Sequence, residues 1–202
     1  MLLIDVTETG SIVAATTKRG EKTTALAELL KRTAAAEIAP LIGFLVGEPR
    51  QGAIGSGWAA VNAIDASAAD LPSIAIGELG DFLSELQATT GPGSQQTRAT
   101  KLHAFFRRAT SDEQDYLRRL IVGELRQGAL AGLVTDAIAK AAGTPGPLTR
   151  RAAMLSGDLG LAAEAALVGA LTRWLPSASR SAVGCNQCLL PLPSRSLTPS
   201  LR

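Results

Sequence analysis

RRLIVGELRQGALAGLVTDAIAKAAGTPGPLTRRAAMLSGDL, residues 118–159, decides the fold. Leu117, Leu120, Ile121 and Leu125 recur at helical spacing and predict a helix with one buried face. Gly123 is tolerated within that pattern, and Arg126-Gln127-Gly128 is expected to end it. Leu133, Val134, Ala137, Ile138 and Ala141 restart the period, and Gly143 stops this second helix. Pro145 and Pro147 stand where a third helix begins; proline suits a first turn because an N–H there has no helical partner.

The turns between these helices hold the functional interest. A helix start offers free N–H groups and the positive end of the helix dipole, which together suit phosphate. Arg126, Gly128 and Gly132 lie at one such start, and Arg150 and Arg151 lie just inside another. Glycine lets the backbone come close to a ligand. Two ordinary helix ends with solvated arginines would produce the same spacing.

Outward from this stretch, 202 residues allow one domain with a core and a tail, or two small domains. Hydrophobic residues make up 46% of the chain but aromatics only 3%, so alanine and leucine supply the bulk and favour helices over sheets. Four of the 20 basic residues, Arg173, Arg180, Arg195 and Arg202, lie beyond Leu171, whereas all 18 acids lie at or before Glu164. Residues 1–171 therefore hold 16 basic and 18 acidic side chains, a net −2, and bulk charge does not argue for nucleic acid. Only a local basic face would. No run of 18 apolar residues occurs, and Asp5 and Glu8 interrupt any signal-peptide pattern, so no membrane partner is expected.

The remaining elements are read in order. Residues 3–16 predict a first helix weakened by Gly10, with Thr16-Thr17 as a cap for the next. EKTTALAELLKRTA, residues 21–34, is amphipathic with Leu26, Leu29 and Leu30 inward, and residues 37–46 form a short apolar helix ended by Gly47-Glu48-Pro49. In PRQGAIGSGWAAV, Trp58 is expected to anchor the core. Residues 65–73 are a loop, and Leu79, Phe82, Leu83 and Leu86 mark a helix over 76–87. Gly91, Pro92 and Gly93 break it, with Ser94 as the expected N-cap of a helix that buries Leu102, Phe105 and Phe106. Arg98 lies one turn on, Lys101, Arg107 and Arg108 form the polar side, and His103 is expected in solvent. Ser111 and Gln114 fit a capping box for the following helix.

GELRQGALAGLVTDAIAKAAG followed by RRAAMLSGDL resembles the end of the N-terminal DNA-binding domain of ATP-dependent DNA ligases, the actinobacterial members most of all. The family's Leu-Arg-x-Gly turn, helix and Ala-Met-Leu-x-Gly-Asp-Leu segment occur here in that order. The junction ATTKRGEK is similar to a Ser/Thr-rich cap with an arginine in the family, and Ile54-Gly55-Ser56-Gly57-Trp58 is similar to an Ile-Gly-x-Gly-Trp run. The resemblance covers about Met1 to Leu171. It implies a compact all-α, multi-helix DNA-binding domain over 1–171; residues 172–202, rich in Ser, Pro, Leu and Arg with no acids and no sustained period, are expected to be a disordered tail. It also implies contact with the phosphates and minor groove of duplex or nicked DNA through Gly93, Ser94, Arg98, Arg126, Gly128, Gly132, Arg150 and Arg151. In the full-length family such a domain serves nick sealing in DNA repair, replication and recombination.

The family's adenylation chemistry is missing. Its lysine nucleophile lies in Lys-x-Asp-Gly, and none of Lys18, Lys22, Lys31, Lys101 and Lys140 is followed by that pattern. No GxxxxGK loop occurs, and the Cys185–Cys188 pair cannot fill a four-ligand zinc site. The chain alone is expected to be non-catalytic, with no catalytic, cofactor or metal residues; ATP and Mg2+ are implied only for the full-length family. A catalytic ligase domain encoded downstream is the expected partner of a chain truncated before it, and a cytoplasmic, nucleoid-associated monomer is expected. Two alternatives stand beside this reading. One is a helix-turn-helix regulator with 147–154 as its reading helix, although Pro145-Gly146-Pro147 stand where base-reading side chains usually project. The other is a helical protein-interaction scaffold, which would suit the acidic body.

Overall fold

The computed structural model describes residues 1–169 apart from 53, 55, 56, 126 and 127. Arg126, the expected tail over 172–202 and the Cys185–Cys188 pair lie outside the described residues. Ten helices account for the apolar periodicity among those described: α1 Leu3–Ala15, α2 Arg19–Lys31, α3 Ala35–Val46, α4 Trp58–Asn62, α5 Ile76–Ala88, α6 Ser94–Phe106, α7 Ser111–Val122, α8 Gly128–Ala142, α9 Gly146–Ser156 and α10 Leu159–Leu167. The all-α expectation holds. Extended pairing among the described residues is confined to one antiparallel bridge between Leu2 and Ala75. It is flanked by bonds from Leu3 N to Ile74 O (2.8 Å) and from Ile76 N to Met1 O (3.0 Å).

The longer helices α2, α5, α6 and α7 bury the stripes that their periodicity predicts. Leu26, Leu29 and Leu30 turn one side of α2 onto α8, whose Val134, Ala137 and Ile138 are fully buried in return. Burying a leucine or isoleucine side chain in this way stabilises the fold by roughly 1.5–3 kcal/mol. α10 packs on α3, α8 and α9, while α1 rests on α2 and α7. α10 is built from small residues, with Gly160, Ala162, Ala163 and Ala166 buried, so its backbone comes close to α3. Phe82 of α5 and Phe105 of α6 stack with ring centroids 3.8 Å apart, joining the two helices of that hairpin. The single tyrosine, Tyr116 on α7, sends its hydroxyl to the Phe44 carbonyl at 2.9 Å.

Four local expectations are corrected. The helix expected to end at 126–128 ends at Gly123, which takes φ +84° and closes α7 with bonds from Gly123 N to Leu120 O and from Glu124 N to Arg119 O. A residue in that left-handed region is at ease only as glycine, so Gly123 stops the helix instead of sitting within it. The capping box falls one residue early: Thr110 is the N-cap of α7, and Glu113 Oε2 accepts from the Thr110 backbone N–H at 2.8 Å. Ser94 is the first residue of α6, and Gly93 (φ +78°) occupies the cap position. Trp58 is 62% exposed rather than a core anchor; α4 holds on through Val61, with Ile54 and Ile64 buried on either side. His103 lies at the surface as expected, its ring Nε2 3.2 Å from the Asp65 carbonyl.

Candidate nucleic-acid interface

The helix starts differ in a way that sequence spacing does not reveal. α1, α2, α3, α5 and α7 each place an acid in the first turn, at Asp5, Glu21, Glu37, Glu78, and Asp112 with Glu113. Such acids answer the positive dipole end and leave little there for an external anion. α10 has no acid in its first turn, but the Asp158 side chain accepts from Gly160 N (2.7 Å) and Leu161 N (3.1 Å). Of the helices longer than two turns, α6, α8 and α9 have neither an acid in the first turn nor an acidic cap; the five-residue α4 has no acid there either. The cap residues of α6 and α9, Gly93 and Pro145, also supply no side-chain acceptor. These three starts coincide with the turns that hold Gly93 and Ser94, Gly128, and the residues just ahead of Arg150 and Arg151.

The α5–α6 turn is built by glycine and held by cations. Gly91 and Gly93 adopt φ +92° and +78°, which bends the chain sharply and leaves 91–93 exposed. Arg98, in the second turn of α6, donates from Nε to the Leu86 carbonyl at 3.1 Å. Lys101 Nζ lies 2.8 Å from Glu85 Oε1 and 3.3 Å from Thr89 Oγ1. Both cations thus meet the C-terminal end of α5, where free carbonyls gather negative dipole. Part of Arg98's capacity therefore serves the fold, holding the turn that presents Gly93 and Ser94.

A second group forms where α2, α8 and α9 meet. Asp136 on α8 receives Arg19 Nη2 on Oδ2 at 2.7 Å and Arg150 Nη2 on Oδ1 at 2.8 Å. Hydrogen bonds from Arg19 first, and then from Arg150, hold the Asp136 carboxyl below its ordinary range. Gly132 lies one helical turn before Asp136, and a Cβ on it would stand 4.0 Å from Arg19 Nη2. Lys140, one turn beyond Asp136, donates to Thr24 of α2 at 2.6 Å. A shallow cleft lined by Lys18, Gly20, Glu21, Thr24 and Ala25 opens along the same helix. Arg151 follows Arg150 on α9 and is exposed.

Of the residues singled out from sequence, Gly132 and Arg150 come together around Asp136, with Arg151 beside them on α9. Gly128 opens α8 one turn before Gly132. Gly93, Ser94 and Arg98 form the separate group at the α5–α6 turn; α6 packs on α4, whereas α8 packs on α2 and both α8 and α9 pack on α10. Sequence reasoning missed Arg19 and Asp136 as members of this surface. The Lys18-Arg19 junction carried a signal for the first. Asp136 carried none, because its partners are 117 and 14 residues away in the chain.

This helical body matches the family described as DNA ligase N terminus over residues 59–139, which include the α5–α6 turn, the start of α8 and Asp136 but not Arg19, Arg150 or Arg151. Three curated relatives extend the likeness to most of the chain. The chain is 47% identical over 167 residues to a probable DNA ligase of Mycolicibacterium gilvum, covering 83% of this chain and 32% of that protein. It is 47% identical over 169 residues to a probable DNA ligase of Saccharopolyspora erythraea, covering 84% and 33%. It is 44% identical over 169 residues to a probable DNA ligase of Nocardia farcinica, covering 84% and 32%. The resemblance drawn from GELRQGALAGLVTDAIAKAAG and RRAAMLSGDL therefore holds: the chain is related to the N-terminal region of DNA ligases. It spans about a third of the length of the relatives it matches. No described helix is long and apolar enough to cross a membrane.

Proposed function

We propose that the helical body binds duplex or nicked DNA through backbone phosphates and minor-groove fit, as the DNA-gripping part of a ligase system. The supporting observation is the coincidence of three helix starts without acids, at α6, α8 and α9, with the glycine and arginine turns of the ligase likeness. Free N–H groups, the dipole and a guanidinium would converge on one phosphate oxygen at such a start. Contacts of this kind position a protein on DNA without reading its sequence. A reading helix over 147–154 is disfavoured by the geometry of α9. Thr149 is fully buried with its hydroxyl 2.9 Å from that of Thr144, and Arg150 is engaged with Asp136.

In this reading the chain does not seal nicks by itself. ATP and Mg2+ are assigned to the full-length family, because none of the five lysines of this chain lies in Lys-x-Asp-Gly. Both ligands would belong to a catalytic domain that works with this one, in the cytoplasm on nucleoid DNA, the present chain acting as a monomer. Anisotropy on several labelled duplexes at three salt concentrations tests the binding. The expected result is weak affinity with little sequence preference and a steep fall with salt. No binding at low salt would point to the scaffold, and strong preference for one sequence would point to the regulator. Incubation with labelled ATP and magnesium should leave no label on the denatured chain.

A further inference from the structure

We propose that Arg19, Asp136 and Arg150 form a phosphate clamp in which Asp136 positions two guanidinium groups from α2 and α9 toward one DNA backbone phosphate. The proposal rests on the DNA-binding reading above and adds two residues that it does not use. Each guanidinium spends an Nη2 on Asp136, at 2.7 and 2.8 Å. The Arg19 and Arg150 side chains nevertheless remain 65% and 58% exposed, while Asp136 is only 23% exposed. The carboxylate is thus the sheltered hub, and the remaining N–H donors of both forks lie at the surface. Guanidinium is always charged and offers five donors in a fixed plane, so pinning one nitrogen orients the rest.

The local charge favours an anion. Two guanidinium groups against one carboxylate leave one positive charge, with the exposed Arg151 next in sequence to Arg150. A Cβ built on Gly132 would stand 4.0 Å from Arg19 Nη2, ordinary van der Waals contact, so this turn of α8 lies directly beside the guanidinium. The start of α8, which has no acid in its first turn, lies one helical turn away at Gly128. Asp136 takes a single Nη2 from each arginine, and a phosphodiester, with two non-bridging oxygens, can accept from the other donors of both forks at once.

The experiment uses the full chain and a nicked duplex of fixed sequence, with thermal unfolding as the check on folding. Each phosphate contact adds about 0.9 to the salt slope, so a rise in salt from about 50 to 200 mM should cost Arg19→Ala about 3.5-fold less affinity than it costs the wild type. The double variant Arg19→Ala/Arg150→Ala should show about a 12-fold difference over the same range. Arg150→Ala alone gives the same reading if Arg19→Ala does not fold. Asp136→Asn should weaken binding even though it removes a negative charge, because both forks lose their hub. Unchanged salt slopes in the arginine variants would reduce the cluster to a staple between helices and overturn the proposal. Equal or tighter binding by Asp136→Asn would overturn the positioning role. A wild-type chain that fails to bind any duplex would sink the DNA-binding reading itself, an outcome distinct from both.

Discussion

Gly160→Ala should destabilise the fold, although alanine is the better helix former. Gly160 is the second residue of α10 and lies buried against α3. A Cβ built on it meets the Ala39 carbonyl oxygen at 3.1 Å and the Ala39 Cα at 3.2 Å, both backbone atoms of α3 that cannot turn aside. It also stands 3.1 Å from Asp158 Oδ1, the carboxylate oxygen that caps α10. Relief requires α10 to move off α3 or the cap to loosen. Overpacking of this kind costs roughly 1–3 kcal/mol, and disturbing an aspartate cap costs roughly 0.5–2 kcal/mol. The intrinsic gain from replacing glycine in a helix is at most about 1 kcal/mol, leaving a net loss of about 2 kcal/mol. Gly77 is the matched control: it is also the second residue of its helix, α5, and nothing lies within 4 Å of its ideal Cβ. Urea unfolding followed by circular dichroism should place Gly160→Ala below the wild type and Gly77→Ala at or above it. The loss of about 2 kcal/mol corresponds to a fall in Tm of about 4–8 °C for a chain of this size. If the two variants proved equally stable, the close approach of α10 to α3 would not be what keeps residue 160 small.

Two further outcomes follow from local geometry. Thr110→Ala should cost about 1 kcal/mol in urea unfolding, whereas Ser111→Ala should stay within about 0.5 kcal/mol of the wild type, because Thr110 is the residue that caps α7. The Asp136 carboxyl is held below its ordinary value by Arg19 and Arg150, so its stabilising effect is fully present above about pH 4 and is lost as pH falls through the lower, folded-state value. The difference in urea midpoint between wild type and Asp136→Asn should therefore be constant near neutrality and close in stronger acid; a gap that widened in acid would contradict the assignment.

Most of the fold was legible because periodicity is a local property. The helix read over 76–87 is found as Ile76–Ala88, and the inward set Leu26, Leu29 and Leu30 is the buried face of α2. The capping box was misread because a tie between adjacent residues is broken by distant contacts. Thr110 with Glu113 and Ser111 with Gln114 both fit the capping pattern. Gln114 is claimed elsewhere: it is buried, and its side-chain amide donates to Ala66 O at 3.2 Å and Phe106 O at 2.9 Å. Glu113 is then left to close the box. Trp58 misled in a different way. A large aromatic ring in an apolar run reads as core, but Val61, Ile54 and Ile64 already fill the space beneath α4, and the indole stays in solvent.

The proposed interface was only half legible because its charge is organised in space rather than along the chain. A net −2 body looks unsuited to DNA, but the sum hides where the acids are engaged. Glu21, Glu28, Glu78, Glu85 and Asp115 each face a lysine or arginine, and Glu37 faces the amino terminus. Exposed pairs of this kind add little stability, but they cancel charge locally, and a field felt at a surface decays within about 8–10 Å in ordinary salt. What an approaching phosphate meets is therefore the nearest helix start, not the total. Five helices begin with an acid that would repel it, and α4, α6, α8 and α9 do not. Asp136 is the one acid facing two arginines at once in this region, and there the local balance stays positive despite the carboxylate. A protein can thus carry more acids than bases and still present places where a phosphate backbone would settle, provided the acids lie at other helix starts or are outnumbered at the contact.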